Sequence, residues 1–444
     1  MPSSTPPGPT RQWLADPGCG APGWPFQFLL NLVRDFGDAV CYPTAYGSVY
    51  FFNHPEDVRQ VLHSSNIVRA PLVSLTLGQG LLASDGSYWR GQRRLMQPDL
   101  HENCLRGFEP LILDSIQKML AGWDLDEHGS VSLDIAHEMK LLTLDIVVRA
   151  MFSADLSEHA EALCEAIGVM VEDLGFISCT LLNTPMSISP SRNARFQGAL
   201  ETVDRVVLGL IEERRESHNQ TRDLLSTLVD WRDPQTGEGL SDVQLRDEIV
   251  TILIAGHETT AIALAWAWHL LAENPPILRT LQREADEVLS GRLPSIADLP
   301  RLPWSESVLN EAMRLYPPVW IMMRRAEKPE EIGGYSVPQD AFVLVSAYTT
   351  QRHPQFWKNP EEFDPQRFTP NSSPKRPLYA HFPFAGGRHL CLGMRFALIE
   401  GQLILAALAQ KFDFHSLPDS PIVPQPVLTL RQQFGVPMRL EVRR

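Results

Sequence analysis

Between about residues 89 and 274, apolar positions recur every three to four residues. That spacing predicts a mostly helical middle, with long helices over 105–123, 132–152, 160–173 and 192–217. One further stretch stands apart. Ser241 and Gln244 form a capping-box start, apolar residues run from Leu245 through Ile249, Ile252, Ile254 and Leu264 to Leu271, and Asn274-Pro275-Pro276 ends the pattern. A helix of about 30 residues, roughly 45 Å long and apolar on most sides, has to cross the middle of the molecule. Before this region the chain mixes elements: a helix over 25–36, a strand over 48–52 ending at Asn53-His54-Pro55, and a helix over 56–63. After Glu331 come short strands over 334–337 and 341–348, then a last apolar helix over 394–408. The pattern predicts a mainly α (α+β) fold: a single large domain over 25–444 with a long central helix and small β-sheets, preceded by a Pro-rich segment over 1–24.

Composition narrows the function classes. With 44% hydrophobic and 21% charged residues, the chain has an ordinary globular balance. A net charge of −14 argues against nucleic acid or an anionic membrane as partner. Residues 1–13 are rich in Pro and Ser without an apolar core, and so read as neither signal peptide nor membrane anchor. No run of eighteen apolar residues occurs. A cytoplasmic monomer with reduced thiols is expected. None of the six cysteines (Cys19, Cys41, Cys104, Cys164, Cys179, Cys391) forms a C-x-x-C pair, which disfavours zinc and disulfide-exchange chemistry.

One cysteine lies in a distinctive setting. Phe384-Ala385-Gly386-Gly387-Arg388-His389-Leu390-Cys391-Leu392-Gly393 places it in a glycine-rich loop just ahead of the last helix. There a thiolate is favoured by the positive helix end and by backbone N–H groups, as suits a metal ligand. Within the long helix, Ala255-Gly256-His257-Glu258-Thr259-Thr260 sets a glycine beside an acid and hydroxyls, a combination expected to weaken, bend or locally widen it. Glu311 and Arg314 lie at i and i+3 on a helix, followed by Phe363-Asp364-Pro365-Gln366-Arg367-Phe368. Trp89 and Arg93 are one helical turn apart.

In this order, these motifs resemble those of the cytochrome P450 family across nearly the whole chain. The resemblance implies haem b with Cys391 as axial thiolate and metal ligand, in a loop that includes Phe384, Gly387 and Gly393. It assigns Trp89, Arg93, Arg324 and His389 to the haem propionates, with Arg325 as an alternative to Arg324. It assigns Gly256 to the groove over dioxygen, Thr259 to hydrogen bonding there, and Glu258 to proton relay. It makes Glu311, Arg314 and Arg367 a structural triad; Gln366 departs from the commoner acid but lies outside the triad. By the family's layout, Leu72, Leu75, Ile252, Ala255, Val319, Trp320 and Met322 line a substrate pocket, whose apolar character implies a fatty acid, terpenoid, steroid or polyketide-like compound.

The expected activity is O2- and reductase-dependent hydroxylation or epoxidation. Electrons are expected from a separate ferredoxin and reductase, or a flavodoxin, since no flavin or iron–sulfur segment is evident. Arg90, Arg94, Arg388 and Arg395 are expected to form its docking patch. The alternatives are a peroxide-driven haem-thiolate enzyme, an O2-independent lyase or isomerase, and a non-catalytic haem-based sensor. The Glu258–Thr259 pair disfavours the first two, and the lack of an output domain the third.

Overall fold

The computed structural model describes residues 5–14, 24–44, 46–70, 77–180, 190–216, 222–233, 235–370, 375–417 and 420–443. The longer helices are α1 (Trp24–Phe36), α2 (Pro55–His63), α3 (Gly86–Met96), α4 (Glu109–Gly122), α5 (Ile135–Phe152), α6 (Ala160–Thr180), α7 (Pro190–Glu216), α8 (Asp242–Glu273), α9 (Pro275–Leu289), α10 (Pro303–Leu315) and α11 (Met394–Lys411). The strands are β1 (Ala39–Thr44), β2 (Gly47–Phe52), β3 (Ile67–Arg69), β4 (Ser130–Asp134), β5 (Met322–Ala326), β6 (Glu330–Ile332), β7 (Tyr335–Val337), β8 (Phe342–Val345), β9 (Phe412–Ser416), β10 (Pro424–Pro426), β11 (Leu430–Gln432) and β12 (Pro437–Val442). The fold is mainly helical with small sheets, as the periodicity predicts.

α8 is the spine. Its start is the expected capping box, with the Gln244 N–H donating to Ser241 Oγ at 3.3 Å and the Ser241 N–H to Gln244 Oε1 at 2.9 Å. It runs unbroken for 32 residues. The expected widening at Gly256 is absent, because this glycine serves close packing: a Cβ there would lie 2.7 Å from Cγ2 of Val147 on α5. Among the described residues α8 alone is long and apolar enough to cross a membrane, and 78% of its most apolar window is buried in the core. The main core joins α8 to α5, α6, α7, α10 and α11.

The main sheet has the order β1-β2-β8-β5-β3, with β2 and β8 parallel. It binds the N-terminal part of the chain to the strands that follow α10. Part of the Pro-rich segment is tied to it as well: the Cys41 N–H donates to the Pro7 carbonyl at 2.9 Å, and Trp13 packs against Phe28 and Phe36. The start of the helix expected over 132–152 is corrected, because Ser132–Asp134 belong to β4, paired with β12. Likewise 341–348 divides into β8 and a helical turn, Ala347–Thr350.

Two acids at the front of α8 clamp the loop that precedes α3. The Gln79 N–H donates to Asp247 Oδ2 and the Leu81 N–H to Glu248 Oε2, both at 2.8 Å. Burial pushes the Glu248 carboxyl up to about 7, against the Leu81 hydrogen bond, while Asp247 adds to the rise. The folded state therefore holds a proton that the unfolded chain releases near 4.5, the ordinary glutamate value. The resulting stabilisation is complete below about 4.5 and is lost as pH rises through about 7, a difference of about 3 kcal/mol. Glu248→Gln keeps an acceptor for Leu81 and removes the titration. Urea unfolding of both proteins between pH 5 and 8 should show the variant gaining on the wild type as pH rises. A constant difference would contradict this assignment.

Candidate active site

Cys391 lies between a short turn, Gly387–His389, and Gly393, which caps α11. Its N–H donates to the Phe384 carbonyl at 3.0 Å, and the Leu390 N–H to the Gly387 carbonyl at 3.2 Å, closing the loop. Gly387 has φ +60°, and a Cβ there would lie 2.1 Å from the Leu62 carbonyl oxygen at the end of α2. Gly393 has open space where a side chain would go. Burial pushes the Cys391 thiol up, while the Gly393 N–H, the Arg93 cation and the Met394 N–H pull it down. Cys391 is thus hemmed in by protein atoms, yet its own surface is exposed. The two observations agree if the side chain forms the wall of an internal cleft.

The long helix carries an open stripe of its own. Ile252, Gly256 and Thr259 are partly open and Ala255 is exposed, although the helix on either side of them, over 245–251 and 260–268, is mostly buried. Positions i, i+3, i+4 and i+7 form one stripe. Thr259 Oγ1 donates to the Ala255 carbonyl at 2.8 Å, the back-bond expected of a mid-helix threonine. Glu258 lies off the stripe and is 1% exposed, and neither carboxylate oxygen has a hydrogen-bond partner among the described residues. Beside it, burial lowers the His257 imidazole to about 4, with Glu258 opposing, and its ring is 3.8 Å from Cys164 Sγ. Glu400, fully buried on α11, is raised well above the usual carboxylate range by burial, with Thr260 of α8 opposing. That contact joins the helix after the cysteine to the helix carrying Thr259.

At one edge the structure gathers cations. Trp89 is buried with its ring edge-on to His389, centroids 4.6 Å apart. Arg93 Nη1 donates to the Leu390 carbonyl at 2.8 Å. Strand alternation separates the two candidate arginines: Arg324 is buried, whereas Arg325 turns outward to Asp340 at 3.7 Å. Sequence reasoning missed Arg69. In the β3–β5 register Arg69 stands directly opposite Arg324, and like charges so placed are destabilising. Burial is the main reason that Arg69 is lowered to about 9 and Arg324 to about 10, with neighbouring arginines adding to it. Arg388 comes within 3.5 Å of Asp85 and His389 within 3.4 Å, so Arg388 belongs with this group and not with the exposed Arg90, Arg94 and Arg395. Asp85, held low against burial by His389 and the Gly86 and Arg69 N–H groups, is the one carboxylate among the described residues that faces them. His389 falls to about 4, chiefly through burial, against the pull of Asp85. Such a cluster fits an anionic ligand with more than one carboxylate.

Glu311, Arg314 and Arg367 come together as expected. Arg314 is fully buried and donates from Nε and Nη2 to Glu311 at 2.6 and 2.8 Å. Its other N–H groups reach the carbonyls of Gln351, Pro360 and Glu362. Arg367 Nε donates to Glu311 Oε1 at 3.2 Å. Gln351, which no motif marks, carries this order onward: its side chain donates to the Met313 and Arg314 carbonyls and accepts the Phe382 N–H, at the start of the cysteine loop.

The expected substrate residues divide. Ile252 and Ala255 face the open stripe, and Val319 is half-buried. Trp320 and Met322 are corrected to core positions. Trp320 is 1% exposed, edge-on to Phe26, and its indole donates to the Val427 carbonyl at 2.8 Å; Met322 is buried in the cluster under the main sheet. The apolar composition around them reflected core packing. Leu72 and Leu75 lie outside the described residues. A surface cavity of about 400 Å³ beside His269 and Glu273, toward the far end of α8, contains none of these groups.

Comparison with known proteins gives the class. The sequence model of the Cytochrome P450 family matches residues 6–437. The chain is 34% identical over 413 residues to cyclooctatin synthase of Streptomyces melanosporofaciens, covering 91% of this chain and 89% of that protein. It is 33% identical over 399 residues to cyclooctat-9-en-7-ol 5-monooxygenase of the same organism, covering 89% and 86%. It is 29% identical over 428 residues to pentalenene oxygenase of Streptomyces avermitilis, covering 94% and 93%. The chain belongs to the cytochrome P450 family, and it is a haem-thiolate monooxygenase using haem b.

Proposed function

We propose that this enzyme hydroxylates or epoxidises a cyclic terpenoid, with Cys391 as the thiolate ligand of its haem. The observation that carries the haem placement is the crowd of cations beside the cysteine loop: the buried Arg324 with half-buried Arg69 opposite it, and half-buried Arg93 and Arg388 near them, facing a single carboxylate among the described residues. Two propionates would satisfy that edge. When bound, haem supplies dioxygen activation and the oxidation of an unactivated C–H or C=C bond. The chain supplies the rest. Arg69, Arg93, Arg324, Arg388 and His389 would hold the propionate edge. Ile252, Ala255 and Val319 give the substrate an apolar surface and exclude water. Thr259 holds a proton-bearing group at Oγ1, and Glu258 brings protons toward it.

The terpenoid reading rests on that apolar stripe and on the names of the two Streptomyces melanosporofaciens proteins and of pentalenene oxygenase. Electrons come from a separate ferredoxin and reductase, or a flavodoxin, meeting the exposed arginines Arg90, Arg94 and Arg395. A cytoplasmic monomer organised as one domain over 25–444 completes the proposal.

The test is the carbon monoxide difference spectrum of the reduced protein, followed by ferric spin-state titrations with cyclic sesquiterpenes and diterpenes. The Soret band should move strongly to the red, and Cys391→Ala should lose both that band and turnover. A terpene that shifts the spin state should be oxidised with ferredoxin, reductase and O2. A histidine-type spectrum in the wild type rules out the thiolate assignment. Turnover with peroxide alone, or without O2, transfers the enzyme to the alternative classes.

A further inference from the structure

The backbone of the cysteine loop is strained, and an unassigned pair of side chains holds it from the α2 side. Ala385 has φ +61° and Gly387 φ +60°, so two residues of a three-residue stretch are left-handed, one of them carrying a side chain. Such conformations persist where the surroundings over-determine them. Here the surroundings are specific. The Gly387 N–H donates to the phenol oxygen of Tyr379 at 3.2 Å. A Cβ on Gly386 would lie 2.3 Å from that same oxygen. The oxygen is in turn 2.7 Å from Nε2 of His63, the last residue of α2, whose ring stands edge-on to the phenol. Tyr379 is 6% exposed, whereas His63 is exposed. The turn carrying Tyr379 is braced as well, since Trp357 Nε1 donates to the Ala380 carbonyl at 3.2 Å.

We propose that Tyr379, backed by His63, is a positioning residue for Cys391: by anchoring the Gly387 N–H it fixes the loop geometry in which backbone N–H groups meet the cysteine sulfur. The proposal rests on the reading of Cys391 as the haem ligand. The connection runs along the chain, since the Gly387 carbonyl takes the Leu390 N–H and the Phe384 carbonyl takes the Cys391 N–H. A loop released at Gly387 changes how the Gly393 and Met394 N–H groups meet the sulfur. Hydrogen bonds to a ligating sulfur withdraw charge from it, so weakening them favours the oxidised metal.

Tyr379→Phe removes one oxygen and keeps the ring. On the haem-loaded protein its reduction potential should shift to more negative values, and the red-shifted carbon monoxide band should decay several-fold faster than in the wild type. His63→Ala, which leaves the phenol and the core intact, should shift the potential in the same direction by less, and His63→Gln should restore part of it. The His63 variants keep the question answerable if Tyr379→Phe folds poorly. A Tyr379→Phe protein with the wild-type potential and band lifetime overturns the proposal, as does a potential that moves only together with the melting temperature. A wild-type adduct without the red-shifted band overturns the Cys391 reading, and this proposal with it.

Discussion

Arg314→Ala is expected to yield a protein that either fails to accumulate folded or is destabilised by about 3–5 kcal/mol, and that retains little haem. The size follows from what the guanidinium does. All of its N–H groups are used: two bonds to Glu311 and three to the carbonyls of Gln351, Pro360 and Glu362. Both Arg314 and Glu311 are 0% exposed. Truncation leaves a buried carboxylate with Arg367 as its remaining cation, together with three carbonyls short of a donor. The damage does not stay on α10. Gln351 takes its position from the Met313 and Arg314 carbonyls and holds the Phe382 N–H, so the start of the cysteine loop loosens. Arg314→Lys should be nearly as damaging, since one ammonium cannot meet five acceptor directions. Denaturant unfolding of the haem-free and haem-loaded proteins measures both effects. A loss below about 1 kcal/mol would show that the network is dispensable.

These interactions were unevenly legible in the sequence. α8 was readable because its signals are local: a capping box, an apolar run and a Pro-Pro stop. The Glu311–Arg314 pair was readable because helical spacing puts i and i+3 together. β4 was not, since Ser132–Asp134 become a strand only by pairing with Pro437–Arg439, some three hundred residues on. Arg69 has no motif, and its meaning lies in the register that sets it against Arg324. Gln351 and Tyr379 are ordinary residues in the sequence, and they matter because the chain brings the loop back past them. Trp320 shows the opposite failure. It sits in a stretch assigned to the pocket by position, but the irregular segment ahead of β5 packs it into the core beside Phe26. Spacing thus exposes contacts within one element, whereas contacts that depend on register or on loop return stay hidden.

Proton delivery should divide between Thr259 and Glu258, and the two variants should fail differently. Thr259 Oγ1 already donates its hydrogen to the Ala255 carbonyl, so toward the cleft the oxygen presents lone pairs. In that state it accepts a hydrogen bond from a proton-bearing group, holding the proton in place, and cannot itself be the first donor. Thr259→Ala removes that acceptor. Oxygen uptake should continue while product formed per O2 consumed falls steeply and hydrogen peroxide is released. Glu258 is displaced from the stripe and has no partner among the described residues for either oxygen, so it must swing or act through water to reach Thr259. Glu258→Gln keeps the shape and removes the transferable proton, so the overall rate should fall by about 10²-fold or more, the usual worth of a positioned acid or base. A larger solvent deuterium effect on turnover should accompany that fall. Parallel measurement of O2, peroxide and product separates the two roles. If Glu258→Gln turns over at the wild-type rate, protons reach the cleft by a route that bypasses this carboxylate, and the buried Glu400 beside Thr260 is the next group to replace.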